Sequence, residues 1–103
     1  EFCLINPGTS KEKGITTIGD DNFFLGYTHI AHDCVIGSNI ITANGVTLAG
    51  HIRVEDFAFI GGLTPIHQFV TIGEGAMIAG ASALSQDIPP FCLAEGNRAV
   101  VKS

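Results

Sequence analysis

Four histidines carry most of the acid–base capacity of this chain: His29, His32, His51 and His67. His32 is followed directly by a carboxylate, Asp33. A carboxylate beside an imidazole fixes its tautomer and stabilises the imidazolium, which leaves the other ring nitrogen to take a proton. His32 and Asp33 therefore form a candidate base–orienter pair. A backbone N–H close by, able to receive an oxyanion, would complete the equipment for acyl transfer. Gly50 is the candidate, because a glycine lets a substrate approach its amide. A Cys–His nucleophile built on Cys34 is the alternative within the same few residues.

The elements that position these groups follow from a repeat of six. The positions Ile18, Phe24, Ile30, Ile36, Thr42, Leu48, Val54, Ile60, Ile66, Ile72, Ile78 and Leu84 are Ile, Leu, Val or Phe in eleven cases of twelve. Those four types fill 32 of the 103 residues, so chance gives about four matches. The following residue is Gly, Ala or Ser at nine of the twelve steps. Four residues after each large apolar comes a second column, from Thr28 and Cys34 through Val70 and Ala76 to Ile88, broken only by Asn22. Six residues turn an α-helix through about 600°, which scatters such positions onto three faces. A strand keeps them on one face, because six is a multiple of two. The remaining residues must turn a corner. Short strand, corner, short strand is a β-solenoid, and the predicted fold is an all-β, left-handed parallel β-helix with three strands per 18-residue coil.

Residues 1–103 read as one such segment. An irregular, charged loop covers about 9–17, behind the turn Asn6-Pro7-Gly8, and is ejected from a corner. Regular coils run over about 18–88, and an exit segment over 89–103. Pro89-Pro90 is expected to stop strand pairing, since proline offers no N–H. Gly8, Gly26, Gly62 and Gly80, with Asn44, share one 18-residue column and are expected to supply positive φ at a corner.

The 18-residue period also places the histidines. His32 occupies a corner in one column with Gly50 and Gln68, and Asp33 shares the next column with His51. His29 and His67 flank inward isoleucines and should point outward. Three histidines and two polar partners thus fall near one edge of the prism. Cys34 lies in the inward small-residue column and reads as core. A histidine zinc site is the stronger rival, because the γ-class carbonic anhydrases use this solenoid with three His ligands. Stacked ligands would recur at 18 or 36 residues. The spacings here are 3, 16, 19, 22, 35 and 38, so no two histidines stack, and no metal is assigned. A non-catalytic trimeric scaffold is the remaining reading.

Bulk composition narrows the partners. The net charge is −5, with only five basic residues, which disfavours nucleic acid and anionic membranes. No apolar run reaches the roughly 18 residues of a membrane span, so no membrane insertion is expected. Three widely spaced cysteines, with no CxxC pair, fit reduced thiols and a cytoplasmic protein. The start, Glu1-Phe2-Cys3, carries neither an initiator Met nor a signal segment and reads as part of a longer protein.

Particular segments then resemble one family. Tyr27-Thr28-His29-Ile30-Ala31-His32-Asp33-Cys34, Leu48-Ala49-Gly50-His51 and Gly61-Gly62-Leu63-Thr64-Pro65-Ile66-His67-Gln68-Phe69 are similar to the UDP-N-acetylglucosamine O-acyltransferases. So are Gln86-Asp87-Ile88-Pro89-Pro90 and Glu95-Gly96-Asn97-Arg98-Ala99. The resemblance runs along nearly the whole chain, in order. It implies the first step of lipid A synthesis, transfer of a 3-hydroxyacyl group from acyl carrier protein to the 3-OH of UDP-N-acetylglucosamine. It implies His32 as base, Asp33 as its orienter and Gly50 as the oxyanion amide. It implies that His29, His51 and Gln68 contact substrate, and that His67 belongs to the same cleft. Gly80 matches an acyl-length ruler, where a bulkier residue shortens the chain. The 48 residues from His32 to Gly80 correspond to roughly 13 Å of axial rise, a span suited to a medium acyl chain. The resemblance further implies a homotrimer with sites between subunits, and no cofactor beyond the carrier-protein thioester. It also implies a longer enzyme, with earlier coils and a helical domain that have no counterpart here. N-acylation of a 3-amino sugar nucleotide, or a related glucosamine N-acyltransferase, remains the close alternative, since an amine can use the same base and amide.

Overall fold

The computed structural model describes residues 4–5, 16–96 and 99–102, and every strand in it is two or three residues long. The repeat dictates this, because six residues per side leave little more than one outward and one inward residue between corners. The first sheet contains β1 (Leu4–Ile5), β4 (His29–Ile30), β7 (Thr47–Leu48) and β10 (Pro65–Ile66). The second contains β2 (Thr17–Ile18), β5 (Val35–Ile36), β8 (Arg53–Val54) and β11 (Thr71–Ile72). The third contains β3 (Phe23–Phe24), β6 (Ile41–Thr42), β9 (Phe59–Ile60), β12 (Met77–Ile78), β13 (Leu93–Glu95) and β14 (Val100–Lys102). From β1 to β12 each successive strand starts a new side, and partners such as His29 and Thr47 or Val35 and Arg53 lie one 18-residue coil apart. The architecture is the left-handed parallel β-helix that the period predicts.

The inward columns form one continuous core. Ile30, Leu48, Ile60, Ile72, Ile78 and Leu84 are all within 1% of complete burial. Each contributes on the order of 1.5–3 kcal/mol through its removal from water. The two exceptions to the pattern have internal explanations. Thr42, the polar member of the large column, is fully buried, and its hydroxyl lies 3.0 Å from that of Thr28, which donates to Leu25 O. Asn22 uses its amide as an extra rung: Nδ2 donates to Gly19 O and Gly37 O, and Oδ1 accepts from Ile40 N–H.

Three expectations are corrected. Positive φ does not fall on the Gly26, Gly62 and Gly80 column. It falls one residue later, on Tyr27, Gly45, Leu63 and Ala81, and at the equivalent place on the other corners, on Asp33, His51, Phe69, Asp21, Asn39, Phe57 and Gly75. Gly8 lies outside the described residues. In the regular corners the third residue, whatever its type, reverses the chain. Second, Pro89-Pro90 does not end pairing. β13 continues parallel to β12 beyond the prolines and is then covered by the antiparallel β14. Proline removes only its own N–H, and the strand that follows restores the ladder. Third, Ile88 does not repeat the place of Val70. It pairs with Ile72, because the corner after Leu84 is shorter than the one after Ile66.

The loop expected at about 9–17 lies largely outside the described residues, although β2 begins at Thr17. Leu4 stands opposite His29 and Thr17 opposite Val35, so β1 and β2 stack on β4 and β5.

Candidate active site

The corner between the first and second sheets holds the acid–base groups. Its second position is taken on successive coils by His32, Gly50 and Gln68, and its third by Asp33, His51 and Phe69. His32 Nδ1 lies 3.2 Å from Asp33 Oδ2, and the Asp33 side chain is 2% exposed. With the carboxylate accepting from Nδ1–H, Nε2 is left as the basic nitrogen. The His32 side chain is 37% exposed, so a substrate can reach it. The Asp33 backbone is held from below by its N–H, which donates to Thr16 Oγ1 at 2.9 Å.

Gly50 meets two demands. A Cβ built there would lie 2.8 Å from His32 Nε2 and still closer to Cε1, so only glycine leaves room for the ring. Its N–H has no acceptor among the described residues, so the residue against which the His32 ring packs keeps its amide available. The Gly50 requirement is thus close approach and not positive φ.

His51 stacks one coil above Asp33. Its Nε2 is 3.9 Å from Asp33 Oδ2, and its ring meets His32 edge-on, with centroids 5.1 Å apart. Phe69 covers the far side of His51 at 4.8 Å, with the rings within 6° of parallel. One ligand atom each from His32, Asp33 and His51 fall within 4.8 Å of one another, so this trio is also where a cation would bind. No two histidines stack, as the spacings require, but Asp33 lets two of them converge.

Cys34 is fully buried and its Sγ donates to Ala49 O at 3.3 Å. Burial pushes the thiol up, and the nearby Asp33 charge adds to this against an opposing hydrogen bond from Ile52. A neutral, enclosed thiol is no nucleophile.

The other candidates are more dispersed. His29 sits outward on β4, half-buried, on the first-sheet face that leads to the corner. His67 and Gln68 are exposed on the same corner one coil beyond Ala49 and Gly50. Thr47, Ala49, Pro65, Ile66 and His67 line an open, largely apolar depression of about 220 Å³ on that face. Gly80 lies on a different corner, the one between the third and first sheets, and a Cβ there would come no closer than 3.4 Å to Gly62 O. The structure therefore gathers His32, Asp33, Gly50 and His51 and leaves Gly80 across the first-sheet face.

Known proteins divide these readings further. Residues 15–50 match the family model described as bacterial transferase hexapeptide (six repeats). The chain is 67% identical, over all 103 residues, to the acyl-[acyl-carrier-protein]–UDP-N-acetylglucosamine O-acyltransferase of Campylobacter concisus, and covers 39% of that protein. The protein of the same name from Helicobacter pylori is 62% identical over 102 residues, of which the chain covers 38%. The solved UDP-N-acetylglucosamine acyltransferase from Campylobacter jejuni superposes with a TM-score of 0.98 at 67% identity, covering 100% of this chain and 41% of that one. The chain thus spans about two-fifths of the length of these relatives, and fits their central part.

The 18-residue column is the useful signal. It places Phe69 above His51, a contact that reading histidines and carboxylates alone passes over. Thr16 had no such signal, because the loop before it breaks the period.

Proposed function

We propose that the complete protein carrying this chain transfers a 3-hydroxyacyl group from acyl carrier protein to the 3-OH of UDP-N-acetylglucosamine, the first step of lipid A synthesis. The observation that carries the reading is His32, oriented through Nδ1 by buried Asp33, with its ring packed against Gly50, whose N–H is available. Identity of 67% to a protein named for this reaction supports the substrate class.

In this mechanism Nε2 of His32 removes the proton of the sugar 3-OH as its oxygen attacks the thioester carbonyl carbon. The Gly50 N–H donates a hydrogen bond to the resulting oxyanion. The tetrahedral intermediate collapses with cleavage of the C–S bond, and the carrier thiolate recovers the proton from the imidazolium. Asp33 stabilises that imidazolium. His29, His51, His67 and Gln68 bind substrate along the first-sheet face, where the apolar depression offers room for acyl carbons. Gly80, open at the far side of that face, limits the acyl length. The thioester already carries the activation, so the reaction needs no cofactor.

The protein acts in the cytoplasm as a homotrimer. None of the described residues forms a helix long and apolar enough to cross a membrane. The outward column of the third sheet supports assembly: Phe23, Ile41 and Met77 are 59%, 43% and 52% exposed, and Phe59 and Leu93 continue the column. The second-sheet face instead presents Thr17, Val35, Arg53 and Thr71. A contiguous apolar face of this kind marks an association surface. Phe23→Glu with Met77→Glu is expected to give monomers in sedimentation velocity; an unchanged trimer would exclude this face.

The deciding experiment supplies the complete protein with 3-hydroxyacyl carrier protein and either UDP-N-acetylglucosamine or its 3-amino analogue. Mass spectrometry is expected to show the ester product with the former. An amide formed in marked preference would favour the N-acyltransferase. The convergence of His32, Asp33 and His51 gives a zinc lyase its one supporting observation, and stoichiometric, chelator-resistant zinc in the purified protein would favour it over acyl transfer.

A further inference from the structure

We infer that Phe69 is a positioning residue for the His32–Asp33 pair, acting through His51; this rests on the reading of His32 as the base. Asp33, His51 and Phe69 occupy one corner column on three successive coils, with φ of 59°, 59° and 64°. Equal backbone conformations aim their Cβ atoms the same way, so carboxylate, imidazole and phenyl stack along the axis. Backbone bonds lock the register. His51 N–H donates to His32 O at 3.0 Å, and Phe69 N–H to Gly50 O at 3.3 Å.

One carboxylate oxygen faces two imidazoles. Asp33 Oδ2 lies 3.2 Å from His32 Nδ1 and 3.9 Å from His51 Nε2. The first distance is a hydrogen bond and the second is beyond one. His51 must stay at that distance for the carboxylate to serve His32. Its ring is held edge-on by His32 and face-on by the parallel Phe69 ring. Turning the imidazole toward Asp33 would drive its edge into the phenyl. Without the phenyl, His51 is free to close on Oδ2 and draw it from Nδ1.

The ring contact of Phe69, more than its place in the corner, argues for this role. A bulky side chain at positive φ is disfavoured, and Phe69 is 65% exposed. The same corner position is met by glycine at Gly45 and Gly75, which reverse the chain freely. Tyr27, Phe57, Leu63 and Phe91 are similarly exposed at positive φ, so what assigns the role to Phe69 is the ring face it gives to His51.

The test is Phe69→Leu in the complete native protein, compared with Phe69→Tyr. We expect kcat to fall about tenfold in the leucine variant, since small misplacements of catalytic groups have effects of this size or larger. KM for the acceptor should change by less than kcat, although His51 also binds substrate. In 15N NMR of the imidazoles, the Nδ1-protonated signal of His32 should give way to a tautomer mixture. Tyrosine keeps the ring and should restore both. Wild-type kcat with unchanged His32 signals in Phe69→Leu would overturn the inference. So would a tyrosine variant as impaired as the leucine one, or a loss confined to KM. If no acyl transfer is found even in the wild type, the proposed function falls, while the nitrogen signals still decide whether Phe69 orients His32.

Discussion

Two corners of this prism share a backbone and differ in what they do with their amides. At the corner between the second and third sheets, side chains of one coil satisfy the backbone of a neighbour. Asp20 N–H donates to Ser38 Oγ, Ser38 N–H to Asp56 Oδ1, and Glu74 N–H to Glu55 Oε1. At the corner between the first and second sheets, the corresponding place on the middle coil is Gly50, with no side chain to give or receive. Its amide is left open, and the His32 ring fills the space a side chain would take. One corner consumes its polar groups internally. The other holds a base, an orienting carboxylate and a free donor at its surface. Identical geometry thus becomes scaffold or site according to which groups remain unspent.

The largest way to break this contrast is at the base. His32→Ala is expected to lower kcat by about 100-fold or more, with little change in thermal stability, because the ring is partly exposed. Steady-state kinetics and a melting curve check both halves, and near-normal turnover would remove His32 from the mechanism. Gly50→Ala sharpens the contrast by adding one methyl. A Cβ there contests the His32 ring, so kcat is expected to fall roughly tenfold to 100-fold while the fold persists. A silent alanine would mean that the ring is not held where the site needs it.

Gly80→Met tests whether the site extends across the first-sheet face. Gly80 has space for a side chain, so the variant should fold normally and prefer shorter acyl donors. Competition between donors of different length reads this directly, and an unchanged preference would detach Gly80 from the site.

Much of this was legible because a six-residue period fixes columns without reference to chemistry. It put His32 with Gly50 and Asp33 with His51 before any contact was known. It did not reveal the sign of φ. Inward and outward alternation is silent on backbone twist, and large residues such as Phe57, Leu63 and Phe69 hold the positive-φ position where small ones were expected. Nor did it reveal the shortened corner after Leu84, where the local sequence keeps an apolar residue four places on but the chain assigns Ile88 to the other column. The role of Phe69 was hidden for a third reason. A phenyl carries no acid–base chemistry, and its importance lies in the ring beneath it.

The smallest effect on activity is expected at the self-satisfied corner, and it completes the comparison. Asp56→Ala removes the acceptor for Ser38 N–H, a solvent-exposed bond worth about 1 kcal/mol at most. The expected outcome is a melting temperature lower by a few degrees and a kcat within about twofold of wild type. Both corners are built from the same coils, so coupling along the backbone would carry a disturbance from Asp56 toward His32. A substantial loss of kcat in this variant would show that the corners are not independent, and that the scaffold corner helps hold the base in place. Unchanged turnover with reduced stability would place the two functions, holding the coil and moving the proton, in separate edges of one repeat.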